Sequence, residues 1–421
     1  MKMKVLVLLL ALFCACSARE VTQSAPEPSV EAPVIAEEKE PATALQPLNE
    51  PDIKDVLTIA GSTATITLSN KRSFDSLCLK GLQGSGELTV SIDGNTIYHQ
   101  ENASAERWCW LGTQNTDSLT VTFDGDEISE EFKISEPAQG SKKLLSAYLP
   151  HSYYSENLLS NGSIAALDEL TIHTGCYWLA DGSLEVKPNL PNIIEAIQSA
   201  YPELTIYCTI NPKKGGAAAI MTAEKRQVLI QSMLNFCDEY NIDGVDIDWE
   251  FPAEDQWDEF SALIVELSEA LHSTNRSLSQ AFYPEDINLS SEAVKAIDKV
   301  NVMAYDLFDE NGCHSTYESA VKSIDYFCSI GFETSQLSLG IPAYGRPLSA
   351  EAVWPYYIDY ADQLADGTNL LNGNYFNSQQ LAQDKALFAR ESDLQGVFLY
   401  HLASDAEGEL SLTTACAEVL K

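Results

Sequence analysis

Beyond residue 142 the chain alternates short apolar runs with longer stretches of helical periodicity. Eight runs have strand length: Leu144–Tyr148, Glu169–Thr174, Leu204–Ile210, Gly244–Asp248, Leu278–Phe282, Lys299–Tyr305, Gln336–Ile341 and Gly396–Tyr400. Between them lie stretches such as Lys225–Tyr240 and Asp255–His272, where apolar residues recur every three to four positions. Strand and helix alternating in this way predict an α/β fold, a (β/α)8 barrel over residues 143–421. In that fold chemistry sits at the C-terminal ends of the strands.

Upstream the apolar period shortens to two. Residues 54–138 hold alternating segments such as Thr65-Ile66-Thr67-Leu68, Leu88-Thr89-Val90-Ser91-Ile92 and Leu119-Thr120-Val121-Thr122-Phe123. Turn formers such as Asp93-Gly94-Asn95 separate them, which predicts a small all-β sandwich domain. Trp108 and Trp110 lie two apart and so share one face of a strand. They are expected in the sandwich core, with a sugar-stacking platform as the alternative. The domain therefore reads as a spacer or a carbohydrate-binding module, joined to the barrel by a short hinge at residues 136–140.

Residues 16–53 are rich in Pro, Glu and Ala and predict an extended acidic tether. Residues 1–15 have the form of an export signal: basic Lys2 and Lys4, then Val5–Phe13, an apolar run too short to span a bilayer. The ending Cys14-Ala15-Cys16-Ser17 resembles a bacterial lipoprotein signal. That resemblance implies lipidation of Cys16 and an anchor in the bacterial envelope, expected at the outer membrane on its periplasmic or surface face, with plain secretion as the alternative.

Charge narrows the range of partners. With 25 Lys and Arg against 62 Asp and Glu, the net charge is −37. Such a chain repels phosphate backbones, which argues against a nucleic-acid role. Eight cysteines follow Cys16, and export permits disulfides; Cys78 with Cys109 is the expected pair. No C-x-x-C spacing occurs, so no zinc site is expected.

The chemistry concentrates in Asp243-Gly244-Val245-Asp246-Ile247-Asp248-Trp249-Glu250-Phe251-Pro252. Strand parity turns Asp246, Asp248 and Glu250 one way and Val245 and Ile247 the other. Three carboxyl groups crowded on an inward face cannot all ionise, so at least one pKa must rise. An acid kept protonated near neutrality is what protonating a glycosidic oxygen needs. A divalent cation would lack further ligands here, so neither metal nor cofactor is expected. Asp243 has the opposite parity and is expected to bond backbone at the strand start.

This stretch resembles the D-x-x-D-x-D-x-E motif of family 18 glycoside hydrolases, the chitinase family, at Asp243, Asp246, Asp248 and Glu250. Asn301-Val302-Met303-Ala304-Tyr305-Asp306 resembles the family's M-x-Y-D. Leu339-Gly340-Ile341-Pro342-Ala343-Tyr344-Gly345-Arg346 resembles its G-x-P-x-Y-G-R. Lys143 to Pro150, with Tyr148, resembles its first strand. The resemblance covers residues 143–421 and implies retaining, substrate-assisted hydrolysis. Glu250 would protonate the leaving oxygen and later activate water. The substrate's 2-acetamido oxygen would attack C1 to give an oxazolinium ion. Asp248 would hold the acetamido N–H, Asp246 would share a proton with Asp248, and Tyr305 would donate its hydroxyl to the acetamido oxygen. Tyr148, Met303, Asp306, Tyr344, Arg346 and Tyr400 are the expected substrate-binding residues. The implied partner is an N-acetylglucosamine polysaccharide or glycan, met by a monomer. The alternatives are endo-β-N-acetylglucosaminidase action on N-glycans, peptidoglycan cleavage, and a catalytically silent sugar-binding protein.

The chain also departs from the family. Thr209-Ile210-Asn211-Pro212 stands where the third strand usually ends S-x-G-G, and Tyr400 stands nearest the usual eighth-strand tryptophan. The segment between Arg346 and Gly396 is too short for the α+β insertion that walls many chitinase clefts, so an open groove and endo-type cutting are expected. Trp178, Trp257, Trp354 and Tyr356 are candidates for stacking along that groove or for the core.

Overall fold

The computed structural model describes residues 55–128, 131–135, 142–349, 351–365 and 367–421. The expectations for the signal, for Cys16, for the tether and for the hinge concern residues outside these ranges.

The N-terminal region is one antiparallel sheet. Its strands are β1 (Val56–Ala60), β2 (Thr63–Ile92), β3 (Asn95–Phe123) and β4 (Glu131–Ser135), and β2 pairs with the other three. The short alternating segments of the sequence prove to be stretches of two very long strands. Asp93 and Gly94 join them with φ of 52° and 79°, the left-handed backbone that a tight hairpin turn demands. The hairpin then doubles back, so that Leu88–Ser91 pairs with its own tip and also with the far end of β3. Gly86 permits that fold-over, because a Cβ there would lie 2.4 Å from the Gly125 backbone nitrogen. Ile66, Phe74, Leu77, Val90, Leu119 and Phe123 fill the enclosed core.

Strand register settles the cysteines. Leu77 stands opposite Cys109, and Cys78 stands opposite Trp108. Cys78 and Cys109 therefore occupy opposite faces, Cys109 in the core of the sheet and Cys78 in the larger core shared with the barrel. The expected disulfide between them does not form, and both are free thiols.

The expected barrel is observed. Its parallel strands are β5 (Leu144–Pro150), β6 (Glu169–Trp178), β8 (Thr205–Pro212), β9 (Gly244–Ile247), β10 (Ser277–Phe282), β11 (Lys299–Val302), β12 (Leu337–Pro342) and β16 (Gly396–Tyr400). Pairing of β5 with both β6 and β16 closes the ring. A short antiparallel strand, β7 (Leu184–Val186), extends β6, and β13 (Arg346–Pro347), β14 (Leu370–Leu371) and β15 (Asn374–Tyr375) make a small flap.

The helices are α1 (Leu190–Ala200), α2 (Ala223–Tyr240), α3 (Trp257–His272), α4 (Ser291–Ala296), α5 (Tyr317–Ser329), α6 (Gln379–Glu391) and α7 (Leu412–Leu420). Thr222, Ser290, Thr316, Ser378 and Ser411 cap α2, α4, α5, α6 and α7 through their side chains, each worth about 1 kcal/mol.

Outward strand residues such as Leu145, Leu170, Ile206, Val245, Ile247 and Val300 are buried under these helices. Each such burial contributes about 1.5–3 kcal/mol. The inward residues are largely polar, and the Lys299–Glu169 ion pair lies among them with the ammonium over the Tyr207 ring.

The sheet and the barrel form one compact unit. Trp108 and Trp110 do share a face, but that face lies against barrel helices rather than in the core of the sheet. The Trp108 amide donates to the Tyr317 hydroxyl of α5 at 3.0 Å, and the Trp110 amide donates to Asp384 of α6 at 2.9 Å. Arg107, fully buried, reaches Glu318 at 3.3 Å and Asp384 at 3.6 Å. Arg390 forks onto Asp75 with two bonds of 3.0 Å and lies over the Trp110 ring.

Candidate active site

Asp246 ends the inward row of β9 and is fully buried. Thr209 of β8 donates to its Oδ2 at 2.8 Å. Ser279 of β10 and Tyr148 of β5 donate to Oδ1 at 2.5 and 3.0 Å, and Asn301 of β11 reaches the same oxygen at 3.3 Å. Burial raises the Asp246 pKa, and the Ser279 and Thr209 hydroxyls pull it back.

Asp248 follows β9 on the same parity. Asn211 accepts its backbone N–H at 2.7 Å. Its Oδ1 is buried with no hydrogen-bond partner, and its Oδ2 lies 3.7 Å from Nε2 of His173. Burial first, then the charges of Glu250 and Asp246, push its pKa well above the usual carboxylate range.

Glu250 stands at the exposed rim, yet partial burial, followed by the charge of Asp306, still raises its pKa. Trp249 packs edge-on against Trp178 and Phe260 and anchors this turn in the core. A groove of about 540 Å³ runs beside Glu250, lined by Phe251, Pro252, Trp257, Glu285 and Asp286 among others. Carboxyl crowding alone thus does not set these pKa values. Burial is the largest cause in all three acids, and the charge that raises Glu250 is Asp306.

Tyr148, Met303, Tyr305, Tyr344 and Phe398 form a buried aromatic floor, with Tyr400 packed against it. Tyr305 and Tyr400 stack at 5.7 Å with 29° between their planes. Tyr148 is bonded into the Asp246 network and is 3% exposed.

Asp306 has a positive φ of 57° and lies just beyond β11. Tyr283 donates to its backbone oxygen at 2.8 Å, Tyr344 to Oδ2 at 2.9 Å, and Arg346 to Oδ1. Tyr344 and Arg346 are therefore occupied in holding Asp306. The Arg346 guanidinium also sits between the Phe308 and Trp354 rings.

Asp243 accepts the Ile206 backbone N–H at 2.8 Å, which ties β8 to β9 at the strand start. Trp178 and Trp257 are core residues, whereas Trp354 is 46% exposed and Tyr356 is half-buried with its hydroxyl 2.8 Å from that of Tyr153. Among the described residues between β13 and β16, the regular elements are the flap strands, short 3-10 turns and α6.

Two contributors were not singled out from the sequence. His173 on β6 touches Thr209 at 3.3 Å and faces Asp248, and Ser279 makes the shortest of the bonds to Asp246. Strand parity was the available signal: His173 follows Ile172 and Ser279 follows Leu278, each an outward, buried apolar residue. Among the described residues no group of three or more His, Cys, Asp or Glu side chains is arranged to hold a metal ion.

The likeness to known proteins agrees with this geometry. The chain is 28% identical over 193 residues to chitotriosidase-1 of Mus musculus, covering 35% of this chain and 42% of that protein. It is 27% identical over 159 residues to probable chitinase 10 of Drosophila melanogaster, covering 31% of this chain and 7% of that protein. The match thus spans less than two thirds of either relative. The fold is similar to that of the GH18 chitinase ChiB from the chitin utilization locus of Flavobacterium johnsoniae, with a TM-score of 0.60 and 24% identity, over 67% of this chain and 94% of that one. The sequence profile of glycosyl hydrolases family 18 matches residues 180–405, more than half of the chain, and the protein belongs to that family.

Proposed function

We propose that this chain hydrolyses β-1,4 linkages between N-acetylglucosamine units by substrate-assisted, retaining catalysis. The observation that carries the reading is the stepped row of carboxyl groups: Asp246 held by four donors, Asp248 buried with one free oxygen, and Glu250 at the rim with a raised pKa. Glu250, protonated, donates to the glycosidic oxygen. The acetamido carbonyl oxygen of the substrate attacks C1, and an oxazolinium ion forms without an enzyme nucleophile. Asp248 accepts the acetamido N–H and balances the developing positive charge. Tyr305, buried beside Tyr400, turns its hydroxyl to the acetamido oxygen. Water, deprotonated by Glu250, then opens the ring. The short segment between Arg346 and Gly396 favours endo-type cutting of a polymer laid across the barrel mouth. The chitinase names of the relatives support the substrate class.

The test is product analysis on chitohexaose and, separately, on a high-mannose glycopeptide, with Glu250→Gln as control. Shorter chito-oligosaccharides that appear first as β-anomers, and are absent with the variant, support the reading. Glycan release from the peptide alone moves the assignment to an endo-β-N-acetylglucosaminidase, and binding without cleavage of either substrate makes the chain a sugar-binding protein.

The export reading is a proposal on sequence grounds. Cys16 carries a lipid and holds the enzyme at the envelope, and loss of fatty-acid labelling in Cys16→Ser is the expected result. Labelling that persists in the variant refutes it.

A further inference from the structure

His173 belongs to none of the motifs and has no part in the mechanism above, yet it is 6% exposed and reaches towards Asp248 directly and Asp246 through Thr209. Its Nδ1 is 3.3 Å from Thr209 Oγ1, and its Nε2 is 3.7 Å from Asp248 Oδ2. Thr209 has one hydroxyl proton, and it is committed to Asp246 Oδ2 at 2.8 Å. The contact between His173 and Thr209 must then be Nδ1–H donating to Oγ1. That fixes the tautomer of a neutral imidazole and leaves the Nε2 lone pair aimed at Asp248. Two lone pairs facing one another repel. A single proton, on either atom, turns the pairing into an attraction.

The groups around the ring are few. Tyr148 meets it from β5 and Tyr400 from β16, at centroid separations of 5.7 and 6.0 Å. Thr209 meets it from β8 and Asp248 from beyond β9, with Asp246 one step away through Thr209. Burial, and then the charges of His401 and His151, lower the His173 pKa to about 4, so the resting imidazole is neutral and free to accept.

We infer that His173 is a positioning residue that takes the Asp248 proton when Asp248 turns to hold the substrate's acetamido N–H, and returns it after turnover. The inference rests on the reading under Proposed function, which requires Asp248 as a carboxylate in the reacting complex. The step is a proton transfer alone. The O–H bond at Asp248 Oδ2 breaks and its electron pair stays on the carboxylate; an N–H bond forms at Nε2. The imidazolium then faces the carboxylate it created, which offsets the cost of its burial. Product release reverses the step. The apolar ring that would fill this space equally well, phenylalanine, has nowhere to put the proton.

The experiment measures kcat and KM of the full chain, His173→Phe and His173→Gln on chitohexaose between about pH 4 and 9. Glutamine keeps a polar group at the site but takes up no proton. In both variants the acidic limb of the kcat profile is expected to move up by about one pH unit. At about pH 5 kcat falls by up to ~10-fold and recovers towards alkaline pH, with KM within about twofold of the parent. A role in packing alone would lower kcat by the same factor at every pH and leave the limb in place. An unmoved limb in both variants, with an active parent, overturns the inference and leaves the hydrolase reading standing. A parent chain that cuts neither chitohexaose nor the glycopeptide overturns that reading itself.

Discussion

Replacing Asp384 by alanine tests whether the N-terminal sheet is a structural part of the enzyme. Asp384 is fully buried on α6. Its carboxylate accepts the Tyr98 hydroxyl at 2.7 Å and the Trp110 amide at 2.9 Å from the sheet, and Gln380 at 3.3 Å from its own helix. It also faces the buried Arg107 guanidinium at 3.6 Å. Alanine leaves the Trp110 N–H and the Tyr98 hydroxyl without that acceptor, at about 1–3 kcal/mol each. It also removes one partner of a buried ion pair, which costs about 3–5 kcal/mol. The terms share one carboxylate and overlap, and Glu318 still pairs with Arg107 at 3.3 Å, so the net loss is about 5 kcal/mol. An unfolding entropy of about 2.1 cal/mol/K per residue over ~370 residues turns this into a fall in Tm of about 6 °C. Differential scanning calorimetry reads it directly. The catalytic row lies at the strand ends and makes no bond to Asp384, so kcat at 25 °C should stay within about twofold of the parent. A Tm shift under about 1 °C would refute the interface argument, and a large loss of kcat with an unchanged Tm would refute the separation of interface from site.

The same residue carries a pH signature. Burial raises the Asp384 pKa to about 6 against the pull of Arg107, so the native state holds its proton more tightly than the unfolded chain does. That contribution is present below about pH 4 and is lost as pH rises through about 6, so in urea unfolding the parent should lose ~3 kcal/mol relative to Asp384→Asn between those values. At the site, Asp306→Asn removes the charge that helps to raise the Glu250 pKa. The alkaline limb of kcat/KM should then move to lower pH, and an unmoved limb would exclude Asp306 as the source. Because Cys78 and Cys109 lie on opposite faces of one sheet, Tm should be the same with and without reductant. A drop on reduction would show a disulfide that the strand register forbids.

The catalytic strand was legible because a period of two leaves no freedom. Val245 and Ile247 must meet the helices, so Asp246, Asp248 and Glu250 must face inward. What each side chain meets inside a closed barrel was not legible, because closure is a long-range event. Tyr148, Tyr344 and Arg346 read as ligand contacts, and the fold adds what periodicity could not show: Tyr148 bonds Asp246, and Tyr344 and Arg346 bond Asp306. Part of the source of the raised pKa values was hidden for the same reason. Three acids in one short run suggest mutual repulsion, which does help to raise Asp248, whereas the charge acting on Glu250 arrives from beyond β11. His173 and Ser279 show the signal that was present but unused: each directly follows an outward apolar strand residue, Ile172 or Leu278, and so has inward parity.

The sheet shows where such parity reasoning runs out. Alternation along β2 and β3 tells which residues share a face, but both faces here bury apolar side chains. Leu77 and Cys109 go to the core of the sheet itself, while Cys78, Trp108 and Trp110 go to the barrel. A face that meets a second element is as apolar as a face that meets its own hairpin, so periodicity assigns the pair of tryptophans to one side and cannot name the side. The deciding information is charge. Arg107 and Asp75 are buried on the sheet, and their partners Glu318, Asp384 and Arg390 belong to α5 and α6. Buried charges of this kind are stable only when paired, so a buried arginine and aspartate on the sheet call for partners of opposite charge from elsewhere in the chain.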